Sequence, residues 1–262
     1  MKVRVPASIA NLGPGFDVLA MAVDLWLVVE AEPADRGRWT LEGEGTRVPP
    51  ELAALPMKGH LRNGIPIGVG LGSSAANRLA ALALQDARNP AERVARLEGH
   101  RDNAWAAYHG GVVLLVDDLV ATLPVPDLEV ALFVAGQPAR TEAARAVLPG
   151  QVAREDAVFN AAHLALLVDV FHTRRWGLLR DALGDRLHQP HRLHLYPYVA
   201  PVMEAARKLG WGAAVCGAGP SVFSLCEAGQ GETVAQAMAA AAPGAGRPLV
   251  TRITRQGLVV EP

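Results

Sequence analysis

The residues of this chain with the clearest chemical potential form the run Pro66-Ile67-Gly68-Val69-Gly70-Leu71-Gly72-Ser73-Ser74-Ala75-Ala76. Three alternating glycines let a backbone come close to a ligand and take up dihedrals closed to other residues. Two serines then open an Ala- and Leu-rich stretch that predicts a helix over residues 75–87, with small hydroxyl residues where helix N-termini favour them. Free N–H groups and the positive end of the dipole make such a junction an anion site. The segment therefore predicts a phosphate cradle. No lysine follows the last glycine, which excludes the P-loop pattern. Gly70-x-Gly72-x-x-Ala75 matches a dinucleotide fingerprint loosely, but Pro66 interrupts the strand that such a fingerprint must follow.

Two more glycine turns stand out. In Asn11-Leu12-Gly13-Pro14-Gly15-Phe16-Asp17 an amide and a carboxylate flank a turn. They could hold a hydroxyl and an ammonium group, or equally cap their own backbone. Cys216-Gly217-Ala218-Gly219-Pro220-Ser221 links two apolar runs and by itself reads as a tight connection. Glu98, His100 and Asp102 alternate with other residues and form either a polar site or one helix end; Glu92, one to two turns earlier, is a second candidate metal ligand. His188, His191 and His194 have spacing that could serve zinc. Pro190 disturbs a helix there and no fourth ligand is near, so the trio reads as exposed or substrate-facing histidines.

Positioning these groups takes a frame of strands and helices. Strands are predicted at residues 3–5, ended by Pro6, then at 25–29, around Trp39 and Leu41, and at 112–116. Residues 43–63, rich in Pro and Gly, read as loop with a short helical piece. A second helix is expected over 91–97. Pro124 and Pro126 mark a boundary, dividing the chain into domains 1–126 and 127–262. Beyond it, strands are expected at 128–134, 213–216, 222–225 and 249–253, and helices at 156–171, 178–187, 201–209 and 233–242. That β-α-β-β-α-β rhythm predicts a ferredoxin-like α+β layer.

Composition limits the partners. Half of the 262 residues are apolar, and 25 Lys and Arg against 26 Asp and Glu leave a net charge of −1. That balance offers no electrostatic footprint for nucleic acid or an anionic membrane. The two cysteines make no C-x-x-C and read as small core residues suited to a reducing cytosol. No apolar run approaches the ~20 residues of a membrane span, and the N-terminus lacks the apolar core of a signal peptide. A soluble, cytoplasmic protein is expected.

In this order the three glycine segments resemble the signature motifs of the GHMP kinases. Residues 65–76 fit that family's ATP-binding signature throughout, and the first segment has the form typical of the homoserine-kinase branch. Glu98-Gly99-His100-Arg101-Asp102-Asn103 resembles that branch's E-G-H-P-D-N, with Gly110-Gly111 following. Thr141 and Arg145 before Leu148-Pro149 resemble its T-x-x-x-R…L-P. Asp185-Arg186-Leu187-His188-Gln189-Pro190-His191-Arg192 resembles its D-x-L-H-Q-P-Y-R.

The resemblance implies a two-domain α+β fold, with an N-terminal mixed α/β nucleotide-binding domain and a C-terminal ferredoxin-like domain. It implies ATP-dependent phosphorylation of L-homoserine in threonine biosynthesis. Residues Pro66 to Ala76 would wrap the ATP phosphates, and Ser74 and Glu98 would hold Mg²⁺. Asn11, Asp17, His100, Arg145 and Arg192 would hold homoserine. The two guanidinium forks would take its carboxylate, and Asp17 its ammonium. Asp102 and Asn103 would orient the attacking hydroxyl. The chain departs from the branch at Arg101, where the family has Pro, at Trp105-Ala106-Ala107-Tyr108-His109, at Ala20 in place of Gly, and in its short stretch between Thr40 and Ile65. These departures leave open a GHMP kinase for another small alcohol, and the dinucleotide match leaves open a non-catalytic nucleotide-binding protein. A homodimer is compatible with the sequence.

Overall fold

The computed structural model describes residues 1–35, 37–139 and 141–262, with Thr141 described by its backbone alone. The first half contains strands β1 (Lys2–Ala10), β2 (Leu19–Pro33), β3 (Trp39–Gly43), β4 (Met57–Asn63), β5 (Val112–Val116) and β6 (Leu119–Leu123). Helices α1 (Pro50–Ala53), α2 (Ser73–Leu84), α3 (Pro90–Glu98) and α4 (Asp102–His109) are set among them. The second half contains β7 (Glu129–Ala135), β8 (Gly212–Val215), β9 (Val222–Cys226), β10 (Gly246–Arg252) and β11 (Val259–Glu261). Its helices are α5 (Thr141–Ala146), α6 (Arg154–Thr173), α7 (Leu179–Ala182), α8 (Gln189–Arg192), α9 (Val199–Lys208) and α10 (Gly231–Ala240).

The 15-residue β2 is the spine of the first sheet. Along one edge it pairs antiparallel with β1; along the other it meets β5 through residues 19–21 and β4 through residues 27–33. The sheet order β11-β1-β2-β4-β3, with β6 beyond β5, follows from that division. β1 runs straight through Pro6, which pairs with Trp26 at a register shift between Pro6 and Ala7. A proline has no N–H to give a ladder, and a bulge is where a strand tolerates one; in place of the expected break at Pro6 there is a register shift within one strand.

β4 lies inside the segment expected to be loop. Its burial alternates, with Met57, Leu61 and Asn63 inward and Lys58 and Arg62 outward. The outward cations meet Glu32 and Glu30 across the strands at 2.9 and 3.1 Å. Polar residues on the solvent face hide the period-2 pattern from a hydrophobicity reading.

Helix α2 lays Ala75, Ala76, Leu79, Ala80 and Ala83 into the core against β1. Small side chains bring the helix close to the sheet, so its N-terminus is held by packing as well as by chain connectivity. The second sheet, β10-β7-β9-β8, is antiparallel throughout and carries α9 and α10. Its strand order matches the expected ferredoxin-like layer. β11 returns to pair with β1, so the chain ends in the first sheet and not at β10 as expected.

Helix α6 spans residues somewhat beyond the expected 156–171, whereas the helix expected over 178–187 is only one turn of 3₁₀-helix and α7. Gly184 follows α7, and Asp185 then spends its carboxylate on the N–H groups of Leu187, His188 and Gln189. This is the competition between side chain and helix that aspartate commonly wins. Pro190 sits at the start of α8, where its missing N–H costs nothing. No helix among the described residues is long and apolar enough to cross a membrane.

Candidate active site

The glycine turn before α2 ends at Gly72, whose φ of +72° places the helix N-cap in the left-handed region. The N–H groups of Ser73, Ser74 and Ala75 have no backbone partner among the described residues, and no side chain caps the helix. Three unsatisfied donors at a helix start, with the dipole behind them, form an anion site. The turn is drawn inward by bonds to β1 and to the third glycine segment. Ser8 N–H donates to Leu71 O at 3.2 Å, and Ser221 N–H donates to Val69 O at 3.3 Å. Gly70 lies against the carbonyls of Cys216 and Gly219, where a Cβ would collide with both.

The first segment is fixed from the same side. Asn11 donates its amide N–H to Gly217 O at 2.8 Å and accepts the Asp17 N–H at 3.0 Å. Asn11 thus caps its own turn and also anchors the third glycine turn. The three motifs, far apart in sequence, meet at one cleft of about 310 Å³.

The cleft is lined by Gly68, Gly70, Gly72, Ser73, Ser74 and Ala75, together with Arg78, Leu97 and Glu98. Pro66, Val69, Leu71 and Ala76 are buried in the surrounding packing, and Ile67 is exposed, so these five expected phosphate-loop residues do not line it. Glu98, at the end of α3, has a side chain only 5% exposed and accepts from Arg78 at 3.1 Å. Glu92 pairs with Arg96 on the outside of α3 and does not line the cleft. One carboxylate and the exposed Ser74 hydroxyl are hard oxygen donors. They suit Mg²⁺, which keeps several waters and uses few protein ligands beside substrate phosphates.

The same cleft is also lined by Asn11, His100, Asp102, Asn103, Arg145 and Arg192. Asp17 joins them through a two-pronged ion pair with Arg145, at 2.6 and 3.0 Å. This bond holds the Arg145 guanidinium still more firmly charged than usual. Arg192 is 2% exposed. It donates from Nε to Ala144 O at 3.1 Å and from Nη1 to Gly217 O at 3.0 Å. Burial lowers its pKa to about 10, which leaves it a cation at neutral pH.

Asp102 opens α4, is 2% exposed and bonds His100 Nδ1 at 3.0 Å. That hydrogen bond raises the His100 pKa. Asn103 accepts the Ser8 hydroxyl at 2.9 Å through Oδ1, which leaves its amide N–H groups for the cleft. The departures at Arg101 and Trp105 do not line the cleft. Trp105 stacks on His109 with ring centroids 5.4 Å apart, and the Arg101 guanidinium sits 5.8 Å from the Trp105 ring.

Several participants carried no signal that sequence reasoning used. Ser8 and Arg78 lie outside the expected site sets, although Arg78 falls one turn after Ser74 on the same helix face. His188, read as exposed or substrate-facing, is instead wholly buried. It bonds Gly13 O and Arg192, and it stacks on Phe16. Among the described residues no group of three or more His, Cys, Asp or Glu could hold a metal by itself, so the His188, His191 and His194 trio forms no zinc site there. Cys216 and Cys226 are buried free thiols whose pKa values burial pushes up, that of Cys226 to about 12.

Comparison with known proteins agrees with this geometry. Residues 45–111 match the GHMP kinases N terminal domain and residues 166–244 match the GHMP kinases C terminal family. A homoserine kinase of Thermus thermophilus is 39% identical over 96% of each chain. One from Gloeobacter violaceus is 39% identical over 94% of each. The crystal structure of homoserine kinase from Cytophaga hutchinsonii superposes with a TM-score of 0.84 at 27% identity, covering 100% of this chain and 97% of that one. With three glycine motifs converging on one cleft and full-length similarity of this degree, the chain belongs to the GHMP kinases, within the homoserine-kinase family.

Proposed function

We propose that this protein is a cytoplasmic enzyme that transfers the γ-phosphoryl group of ATP to the side-chain hydroxyl of L-homoserine, giving O-phospho-L-homoserine for threonine biosynthesis. The observation that carries the reading is that two unlike sets of residues line one cleft. An unsatisfied helix N-terminus, suited to phosphates, shares the cleft with Asn11, Arg145 and Arg192, and Asp17 is paired to Arg145. Two guanidinium groups beside a carboxylate match a zwitterionic amino acid, carboxylate to arginine and ammonium to aspartate. A sugar or mevalonate brings no ammonium group to Asp17.

In this reading residues 1–126 bind the nucleotide and residues 127–262 form the second domain. Ser74 and Glu98 would hold Mg²⁺. When bound, that ion neutralises charge on the β- and γ-phosphates. The chain's own part is positioning, which suits a loose phosphoryl-transfer transition state. The α2 N-terminus fixes the phosphates. Arg145 and Arg192 hold the acceptor carboxylate and Asp17 its ammonium. Asn103, held by Ser8, directs the hydroxyl. The hydroxyl oxygen bonds to the γ-phosphorus as the bond to the β–γ bridging oxygen breaks, and the hydroxyl proton passes to solvent water. Asp102 Oδ1 is engaged by His100 and by the Asn103 N–H, and in this reading the carboxylate orients groups.

The test is ADP release from Mg-ATP with L-homoserine, with mevalonate, galactose and a no-acceptor control run in parallel. Homoserine-dependent turnover supports the reading. Faster turnover with another acceptor refutes the roles given to Arg145 and Asp17 while leaving the phosphate site standing.

A further inference from the structure

We propose that His188 is a positioning residue for the acceptor carboxylate: its neutral ring, hydrogen-bonded at both nitrogens, holds the buried Arg192 guanidinium in register with the Asn11–Asp17 turn. The inference rests on the proposed role of Arg192 and adds a residue that touches no substrate.

His188 is fully buried between two binding elements. Its Nε2 lies 2.8 Å from Gly13 O, in the first glycine turn, and its Nδ1 lies 2.9 Å from Arg192 Nη1. The partners decide the tautomer. A carbonyl only accepts and a guanidinium only donates, so Nε2 must carry the proton and Nδ1 must be bare. A charged imidazolium could not accept from Arg192, and two cations would then face each other in a buried site. Burial and the Arg192 charge disfavour the protonated ring, against the opposing pull of Asp185, whose carboxylate lies 3.5 Å from Nε2, and of Asp17. Phe16 closes the remaining side, its ring stacked on His188 at 5.2 Å and also 5.6 Å from the Arg192 guanidinium carbon.

The consequence for Arg192 is directional. Nε goes to Ala144 O, and Nη1 is shared between Gly217 O and His188 Nδ1. Nη2 has no partner among the described residues and is the nitrogen left for a ligand. Arg192 has several rotatable bonds, and without His188 one of its three anchors is lost on the side toward the Gly13 turn. The imidazole also keys that turn, and through it Asn11 and Asp17, to the same guanidinium. His188 thus couples the carboxylate-binding and ammonium-binding sides of the acceptor site.

Three substitutions separate the two bonds. His188→Asn places an acceptor at the Nδ1 position and loses the bond to Gly13. His188→Gln places a donor at the Nε2 position and loses the acceptor. His188→Leu loses both. Melting temperature falls in all three, as for any buried polar site. The KM for L-homoserine is expected to rise about tenfold or more in the Gln and Leu variants and to stay within about threefold in the Asn variant, with the KM for ATP held within about twofold throughout. Equal effects of Asn and Gln, or an unchanged homoserine KM in the Leu variant, would overturn the proposal.

Nitrogen-15 NMR of the histidine rings in the wild-type protein is independent of whether the variants fold. A bare Nδ1 and a protonated Nε2 at His188 near neutral pH are required, and a protonated Nδ1 refutes the assignment. Absence of homoserine turnover by the wild type would instead defeat the functional reading, with the tautomer unaffected.

Discussion

Arg145, which lines the cleft, and Asp17, 128 residues apart, hold each other in a bidentate ion pair. They are also the residues whose charges complement a zwitterion, so the pair keeps each group satisfied and oriented until a ligand with the opposite arrangement arrives. Both side chains are over a third exposed, 37% and 38%. A screened pair of this kind contributes no more than about 1 kcal/mol. An amino acid entering between them exchanges one weak pair for two charge-assisted contacts. Arg145→Ala should therefore raise the homoserine KM about 10- to 100-fold, with ATP KM and melting temperature nearly unchanged. Steady-state kinetics with each substrate varied in turn would check this, and a matching rise in ATP KM would contradict it.

Gly70→Ala should be far more damaging than its size suggests. At φ +88° the residue occupies the left-handed region, and the new methyl would meet the backbone carbonyls of Cys216 and Gly219. Backbone atoms cannot swing aside as a flexible side chain does. Loss of several kcal/mol of stability and of nucleotide binding together is expected. Denaturant unfolding that shows a loss below about 1 kcal/mol would mean that the two turns are not held against each other.

Asn103→Leu should lower kcat by about 10- to 100-fold while leaving the KM for ATP within about threefold, because the proposed mechanism has the amide act on the hydroxyl and not on the phosphates. Ser8→Ala, which removes only the bond that orients the Asn103 amide, should give a smaller fall in the same parameter. A rise in ATP KM without a change in kcat would reassign Asn103 to the nucleotide.

Glu98→Gln should raise the Mg²⁺ concentration needed for half-maximal nucleotide binding, since a neutral amide is a weaker ligand for a hard cation. Calorimetric titration of Mg-ADP into both proteins reads this without turnover. Unchanged metal dependence would move the site away from Glu98.

Stability should fall as the solution is acidified, in part through His188. Burial lowers its pKa from 6.5 to about 4. The unfolded chain therefore binds a proton that the native protein refuses, and the stabilisation present above pH ~6.5 is lost as pH falls toward ~4. The effect is on the order of a few kcal/mol. His100 has the opposite sign: the bond to Asp102 raises its pKa, so its contribution is present below 6.5 and is lost as pH rises through the raised value. Melting curves between pH 8 and 5 should show a shallower acid loss in His188→Asn than in wild type. Parallel curves would exclude His188 as a source.

The sequence by itself settled the local chemistry. Glycines at 68, 70 and 72 ahead of Ser73 and Ser74 dictate a tight turn into a helix start, because backbone dihedrals and N–H supply are properties of a few adjacent residues. The order of strands and helices after residue 127 likewise announced the antiparallel second layer. Elements whose pattern is weak locally escaped: β4 through its charged outer face, α5 and α8 through their brevity, and β11 because three residues carry almost no periodicity.

Only the tertiary structure decided who meets whom. It turned His188 from an apparent surface residue into the buried link between Gly13 and Arg192, paired Arg145 with Asp17, and put Arg78 on Glu98. Burial and partner choice arise from packing between distant segments. The same histidine is a solvated switch on a surface and a fixed neutral donor–acceptor when a carbonyl and a guanidinium close on its two nitrogens.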